Sequence, residues 1–172
     1  LILSNAVLSS VRDFVGGEGL WSKAQKDAVY SLRKYGQSKE EKDYQEYLHF
    51  LDVNMGDYQA RTELKKDNPN MEIAHQGFLK GRNHPDDIKG MIKLFRNFHR
   101  IYYIQQSISY WTKADLLRAK LQVSADKLHS YIGSGKSTAA GIDKILVEID
   151  GLNRQLTIVE DNFSYTLGAG SR

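Results

Sequence analysis

The sequence predicts an all-α protein, an antiparallel helical bundle of the four-helix-bundle type. Two long helices dominate its C-terminal part, and shorter, broken helices precede them. Three observations carry that expectation. Prolines are confined to Pro69 and Pro85, and no stretch sustains the apolar–polar alternation of a strand. Ile142, Ile149, Leu156 and Phe163 recur every seven residues with Ile145, Leu152 and Val159 between them. That is the a/d seam of helices packed side by side. Apolar stripes elsewhere are bracketed by helix start and stop residues.

A chain of 172 residues makes one domain, residues 1–172, large enough to bury a core. No run approaches the ~18 apolar residues of a membrane-spanning helix. Leu1-Ile2-Leu3 reads as the frayed end of something removed, without the charged leader and cleavage site of a signal peptide. The absence of cysteine removes disulfides and thiolate metal sites. A net charge of +3 is too mild to demand nucleic acid. The basic residues between Arg61 and Arg100 interleave with acids, as on a solvated helix face.

The first helix is expected from Leu1 to about Val15, with Leu1, Leu8, Val11 and Val15 on one side. Gly16-Gly17-Glu18-Gly19 should interrupt it, because each interior glycine costs a helix about 1 kcal/mol. Helix resumes at Leu20-Trp21 on a stripe of Ala24, Ala28, Leu32 and Tyr35, and Gly36 is placed as its C-terminal cap. Ser38 with Glu41 spells a capping box, opening a helix that buries Tyr44, Tyr47, Leu48, Leu51 and Met55 and stops at Gly56. A short helix over 57–66 breaks at Asp67-Asn68-Pro69-Asn70, and another over 71–80 closes at Gly81. His84-Pro85-Asp86-Asp87 is the clearest start signal, with proline in the first turn and carboxylates at the positive end of the helix dipole. From there the pattern continues to about Tyr131, as one helix of over forty residues or two with a kink. Gly133-Ser134-Gly135 is the turn before the last helix, which Ser137 or Thr138 caps and which runs from Ile142 to Leu167.

Four groupings bear on chemistry. Gly133-Ser-Gly-Lys-Ser-Thr138 resembles the end of a phosphate-binding loop, but Ser130 stands where the motif needs glycine and a helix precedes it. Glu46/His49 and Glu72/His75 have the helical spacing of di-metal carboxylate bundles; the short second helix and the closeness of the pairs in sequence argue against such a centre. Asn83, His84, Asp86 and Asp87 could ligate one metal, although capping accounts for them. Trp21, Trp111, Tyr102, Tyr103 and Tyr110 suit either a pocket between helices or a core. No serine–histidine–aspartate set and no cofactor motif is found, and no cofactor is expected.

Several stretches resemble a known family. They are Gly16-Gly-Glu-Gly-Leu-Trp-Ser-Lys-Ala-Gln-Lys-Asp-Ala-Val-Tyr30, Gly56-Asp57 with Ala60-Arg61, Gly81-Arg-Asn-His-Pro-Asp-Asp-Ile88, and Phe163-Ser-Tyr-Thr-Leu-Gly168. They are similar to the all-helical extracytoplasmic sensor domain of bacterial membrane-bound signalling proteins, mostly those with cytoplasmic GGDEF and EAL modules that make or break cyclic di-GMP. The resemblance implies a periplasmic domain between two transmembrane helices that senses a small-molecule or protein signal and catalyses nothing itself. A homodimer is among the assemblies it allows. It assigns no ligand.

Interrupted helices leave backbone groups free to meet a ligand. On that ground the ligand-binding residues are expected near Gly16–Gly19 and the Pro85 helix start: Trp21, Lys26, Arg61, His84, Asp86 and Asp87. A sensor between two membrane helices should bring Leu1 and Arg172 to one pole, with the seam of the last helix transmitting a shift. The alternatives from other classes are a ferritin-like metal-binding enzyme and a helical adaptor.

Overall fold

The computed structural model describes residues 4–170, and these form six helices and no strand. They are α1 (Asn5–Ser38), α2 (Glu41–Leu64), α3 (Met71–Lys80), α4 (Pro85–Asn97), α5 (Tyr102–Gly133) and α6 (Ala139–Gly170). The all-α bundle predicted from the seam and the missing strand pattern is therefore what the chain adopts.

The largest correction lies in α1, which passes through Gly16–Gly19 without a break. Val7, Val11, Phe14, Glu18, Trp21, Gln25, Ala28, Leu32 and Tyr35 alternate by four and three residues, and all are buried. Burying that continuous seam outweighs the glycine penalty, since a single large side chain is worth about 1.5–3 kcal/mol. Gly17 is closely packed, so a side chain there would make its neighbours shift. A Cβ there would stand 2.6 Å from Met91 Cε and 2.8 Å from Asn83 Oδ1. Gly36 is likewise not a cap. It receives Leu146 and Ile142 of α6, and the helix ends three residues later on Lys39 in the left-handed region (φ 57°). The expected capping box fails because Ser38 still belongs to α1. Its hydroxyl accepts from Glu40 N–H and donates to Asp43, and Glu40 takes the N-cap position of α2 without a side-chain bond.

α2 also runs through its expected stop. Gly56 lies where α3 crosses, and a Cβ on it would meet the Gly77 carbonyl at 2.6 Å. Gly77 faces the Gly56 carbonyl in the same way, so the two glycines let the backbones touch. The turn before α3 behaves as the sequence indicates, with Asn70 accepting from the Glu72 and Ile73 amides. At α4, His84 Nδ1 accepts from Asp86 N–H at 3.2 Å, ahead of proline in the first turn. The long stretch after Pro85 resolves into two helices separated by residues 98–101. Thr138 Oγ1 accepts from Gly141 N–H, capping α6 as expected.

α1, α2, α5 and α6 form an antiparallel four-helix bundle, and α3 and α4 cover the α1–α2 face near one end. Long side chains bridge the gap between α2 and α5: Tyr44 Oη donates to Asp126 at 3.2 Å, and His129 pairs with Glu41 at 2.8 Å. The core divides into two clusters. One holds Phe14, Trp21, Phe78, Met91, Trp111, Leu156 and Phe163; the other holds Leu32, Tyr35, Tyr47, Leu121, Leu128, Ile142 and Ile149. Leu1 and Arg172 lie outside the described residues. The described parts nearest them, Leu8–Val15 and Ser164–Gly168, line one cleft at the same pole.

Candidate functional site

Between the two core clusters lies a belt of buried polar side chains. Arg61 on α2 makes a bidentate pair with Asp115 on α5, Nη1 to Oδ2 at 2.6 Å and Nη2 to Oδ1 at 2.8 Å. Its guanidinium also lies 4.4 Å from the centre of the Trp111 ring. One turn earlier on α2, Asp57 is wholly buried, and its Oδ1 accepts from Asn83 Nδ2 at 3.0 Å. Burial holds this carboxyl well above the usual range, against the opposing pull of Arg61 and Asn83. Asn83 also donates to the Phe78 carbonyl, tying the loop before α4 to the belt. Asp57 Oδ2, Arg61 Nε, Arg118 Nε and Tyr47 Oη find no hydrogen-bond partner among the described residues. Unpaired buried polar atoms are costly and rare, so these atoms are where the belt can still accept or donate a hydrogen bond.

A second polar group joins the belt where α1 meets α6. Glu160 of α6 is 5% exposed. Its Oε2 accepts from Ser22 Oγ and from Lys26 Nζ, both at 2.8 Å, while its Oε1 has no partner among the described residues. Opposite, Glu18 of α1 accepts from Ser164 Oγ at 3.2 Å. Burial pushes the Glu18 carboxyl up to about 7, Glu160 adds to that effect, and the Ser164 bond opposes it. Burial raises Glu160 as well, against Lys26 and Ser22. These side chains line an open cleft of about 420 Å³. Behind it runs a narrow slot walled by Trp21, Tyr110, Trp111 and Phe163, with Glu18 and Glu160 at its mouth.

The sequence-predicted residues divide. Trp21 lines the slot and Lys26 lines the cleft, linked through Glu18 and Glu160. Arg61 lines neither, but its guanidinium lies over the ring of Trp111, which forms one wall of the slot. His84 and Asp86 are exposed, Asp87 is half-buried, and none of the three borders the cleft or the slot. Their neighbour Asn83 is the residue that reaches the interior. The premise that a break at Gly16–Gly19 opens the site does not survive, because the helix there is intact. The two Glu-x-x-His pairs face separate partners: Glu46 takes Lys34, His49 meets Arg82, and Glu72 takes Gln76. Among the described residues no group of three or more histidines and carboxylates could hold a metal ion.

Glu160 and Asp115 escaped the sequence reading as site residues, and Glu18 and Asp57 entered it only within the quoted stretches. For Glu18 a signal existed: once the glycines are accepted as helical, the four–three spacing from Val7 to Tyr35 puts Glu18 and Gln25 on the seam. Glu160 sits four residues after Leu156 and three before Phe163, which places it on the packed face of α6. The quoted stretches converge in space: Gly17, Asp57, Arg61, Gly81 and Asn83 come from three of them and meet at one end of the belt. No family model, no curated protein and no solved structure matches the chain.

Proposed function

We propose that this chain is the periplasmic sensor domain of a transmembrane signalling protein. In this reading a small molecule or partner at the α1–α6 contact shifts one helix against the other, and flanking membrane helices pass the shift to a cytoplasmic output module, cyclic di-GMP turnover being the expected one. The observation that carries the reading is the α1–α6 contact itself. These are the first and last helices, each over thirty residues long, and they meet at a cleft edged by buried carboxylates with an unpaired oxygen. A ligand that binds one packing of the two helices better than another shifts their equilibrium by its difference in affinity. Rigid, seam-packed helices carry such a shift to their ends. The resemblance in Gly16–Tyr30 and Gly81–Ile88 supports the same reading.

The test uses the full-length membrane protein. Inserting one residue after Leu167 rotates whatever follows by about 100° while leaving the packed seam in place. Output, read as cyclic di-GMP in cells, is expected to become locked or altered. Wild-type basal output together with a wild-type response would refute the reading.

A further inference from the structure

We propose that the cleft between α1 and α6 is a binding site for a small organic cation carrying a primary ammonium group. This deepens the sensor reading by naming the class of its ligand, although binding to the chain can be measured without any output.

The charge pattern comes first. In the cleft, Lys23 is engaged by Asp27 at 3.1 Å, and Lys26 by Glu160 Oε2 at 2.8 Å. No ion pair among the described residues ends on Glu18; Glu160 and Asp161 repel its charge, and Lys26, already held by Glu160, attracts it from a distance. Glu160, almost completely buried, holds its second oxygen without a partner at the junction of cleft and slot. Two carboxylates therefore converge on one point with acceptor capacity left over. An anion is repelled there, and a neutral group leaves Glu18 without an ion-pair partner.

Shape and surroundings select among cations. The slot has room of about 10 Å³, the space of one water molecule. An –NH₃⁺ head is of that size, whereas a trimethylammonium head is much larger. Trp21, Tyr110, Trp111 and Phe163 wall the slot, and aromatic faces attract an organic cation. A metal ion would need three or more oxygen or imidazole ligands from the protein, which the described residues do not assemble. The ammonium can donate to Glu18 and to Glu160 Oε1, while the rest of the molecule lies in the open cleft beside Ser22 and Ser164.

The experiment is calorimetric titration of the 172-residue chain with n-butylammonium chloride at about pH 8, where the Glu18 carboxyl, raised to about 7, is ionised. Butan-1-ol, tetramethylammonium chloride and calcium chloride serve as comparisons. Saturable binding of n-butylammonium is expected, at least about tenfold tighter than any of the three. Glu18→Gln, nearly isosteric, should weaken it by about tenfold or more, as should lowering the wild type to about pH 5.5. At that pH the groups facing Glu18 from α6 are Glu160 and Asp161, with Lys26 on its own helix.

Equal binding of butan-1-ol would overturn the proposal in favour of an apolar slot, and preferential calcium binding would overturn it in favour of a metal site. Butylammonium binding that ignores both Glu18→Gln and pH would place the contact elsewhere and overturn it too. Should Glu18→Gln fail to fold, the wild-type pH dependence decides. Failure of binding here leaves the insertion test of the sensor reading standing, and a failed insertion test leaves the binding result standing, so the two are separable.

Discussion

The two poles of the bundle are built differently. At one, α1 turns into α2 through residues 39–40 and α5 into α6 through residues 134–138, over a core of Leu32, Leu121, Leu128, Ile142 and Ile149. Several polar groups there are tied off: Tyr131 Oη accepts from Thr138 N–H, and Tyr44 stacks on His129 with ring centres 3.8 Å apart. At the other pole the core is aromatic, with Phe14, Trp111 and Phe163 in mutual edge and stacked contacts, and α3 and α4 are added outside it. The clefts described above border this half, and the belt of unpaired polar atoms separates it from the first. One end is clamped by short turns and aliphatic packing. The other has no turn joining α1 to α6, since α1 begins and α6 ends there. A rearrangement of α1 against α6 is cheapest at that second pole, because no turn joins those two helices there.

The comparison can be broken most directly at Arg61. Arg61→Ala leaves Asp115 buried without its counter-charge and strips a cation from the Trp111 face, so a loss of about 3–5 kcal/mol in urea unfolding is expected. Hydrogen exchange should quicken first around the aromatic pole and leave the Leu32–Leu128 amides protected. Equal quickening at both ends would show that the poles open as one unit.

Leu156→Ala removes a fully buried side chain from the α6 seam on the aromatic side, at an expected cost of about 2–5 kcal/mol. Ile149→Val, at an equally buried position in the other cluster, should cost about 0.5–1.5 kcal/mol. Reversal of that order in thermal melts would mean the clamped end is the more exacting one.

A pH titration of stability sharpens the contrast further. Glu18, Glu160 and Asp57 all have folded-state values raised by burial, so between about 4.5 and 7 the folded chain binds more protons than the unfolded one. Their joint contribution therefore makes stability fall as pH rises through that window, and Glu18→Gln should flatten the fall. The charged neighbours of Glu18, namely Glu160, Asp161 and Lys26, remain in the variant. A melting profile that Glu18→Gln leaves unaltered would remove Glu18 from the account.

The smallest effect belongs to the glycines of α1. A Cβ at Gly16 or Gly19 meets nothing within 4 Å, and Gly19→Ala should gain about 0.5–1 kcal/mol in thermal unfolding. Gly17→Ala, facing Met91 and Asn83, should lose stability instead. Gains at both positions would mean that α4 does not press on α1.

Much of the helix layout was legible because periodic burial and end signals agree from about residue 70 onward. Asn70, Pro85 and Thr138 mark helix starts, and Ile142 to Phe163 marks the packed face. The first half misleads because its glycines have two physical uses that look alike in sequence. Gly36 and Gly56 could end helices, yet both serve close approach, to α6 and α3 respectively. That distinction depends on a partner far away in the chain. Of the site, Trp21 and Lys26 were visible as an aromatic and a cation near unusual glycines. The carboxylates between them were not, since a buried glutamate on a seam looks like a surface residue until its neighbours are placed.

The hydrogen bond from Ser22 to Glu160 joins residues 138 positions apart, whereas Lys127 and Glu148 across the α5–α6 turn are 21 apart. Closing the longer loop costs roughly 1.5–2 kcal/mol more chain entropy. The α5–α6 and α1–α2 hairpins can therefore assemble early from local contacts, and the α1–α6 seam zips up last. With no cysteine in the chain, no disulfide holds that joint once made. The cleft thus lies on the costlier of these two closures, and whatever fills it offsets the chain entropy that opposes the joint.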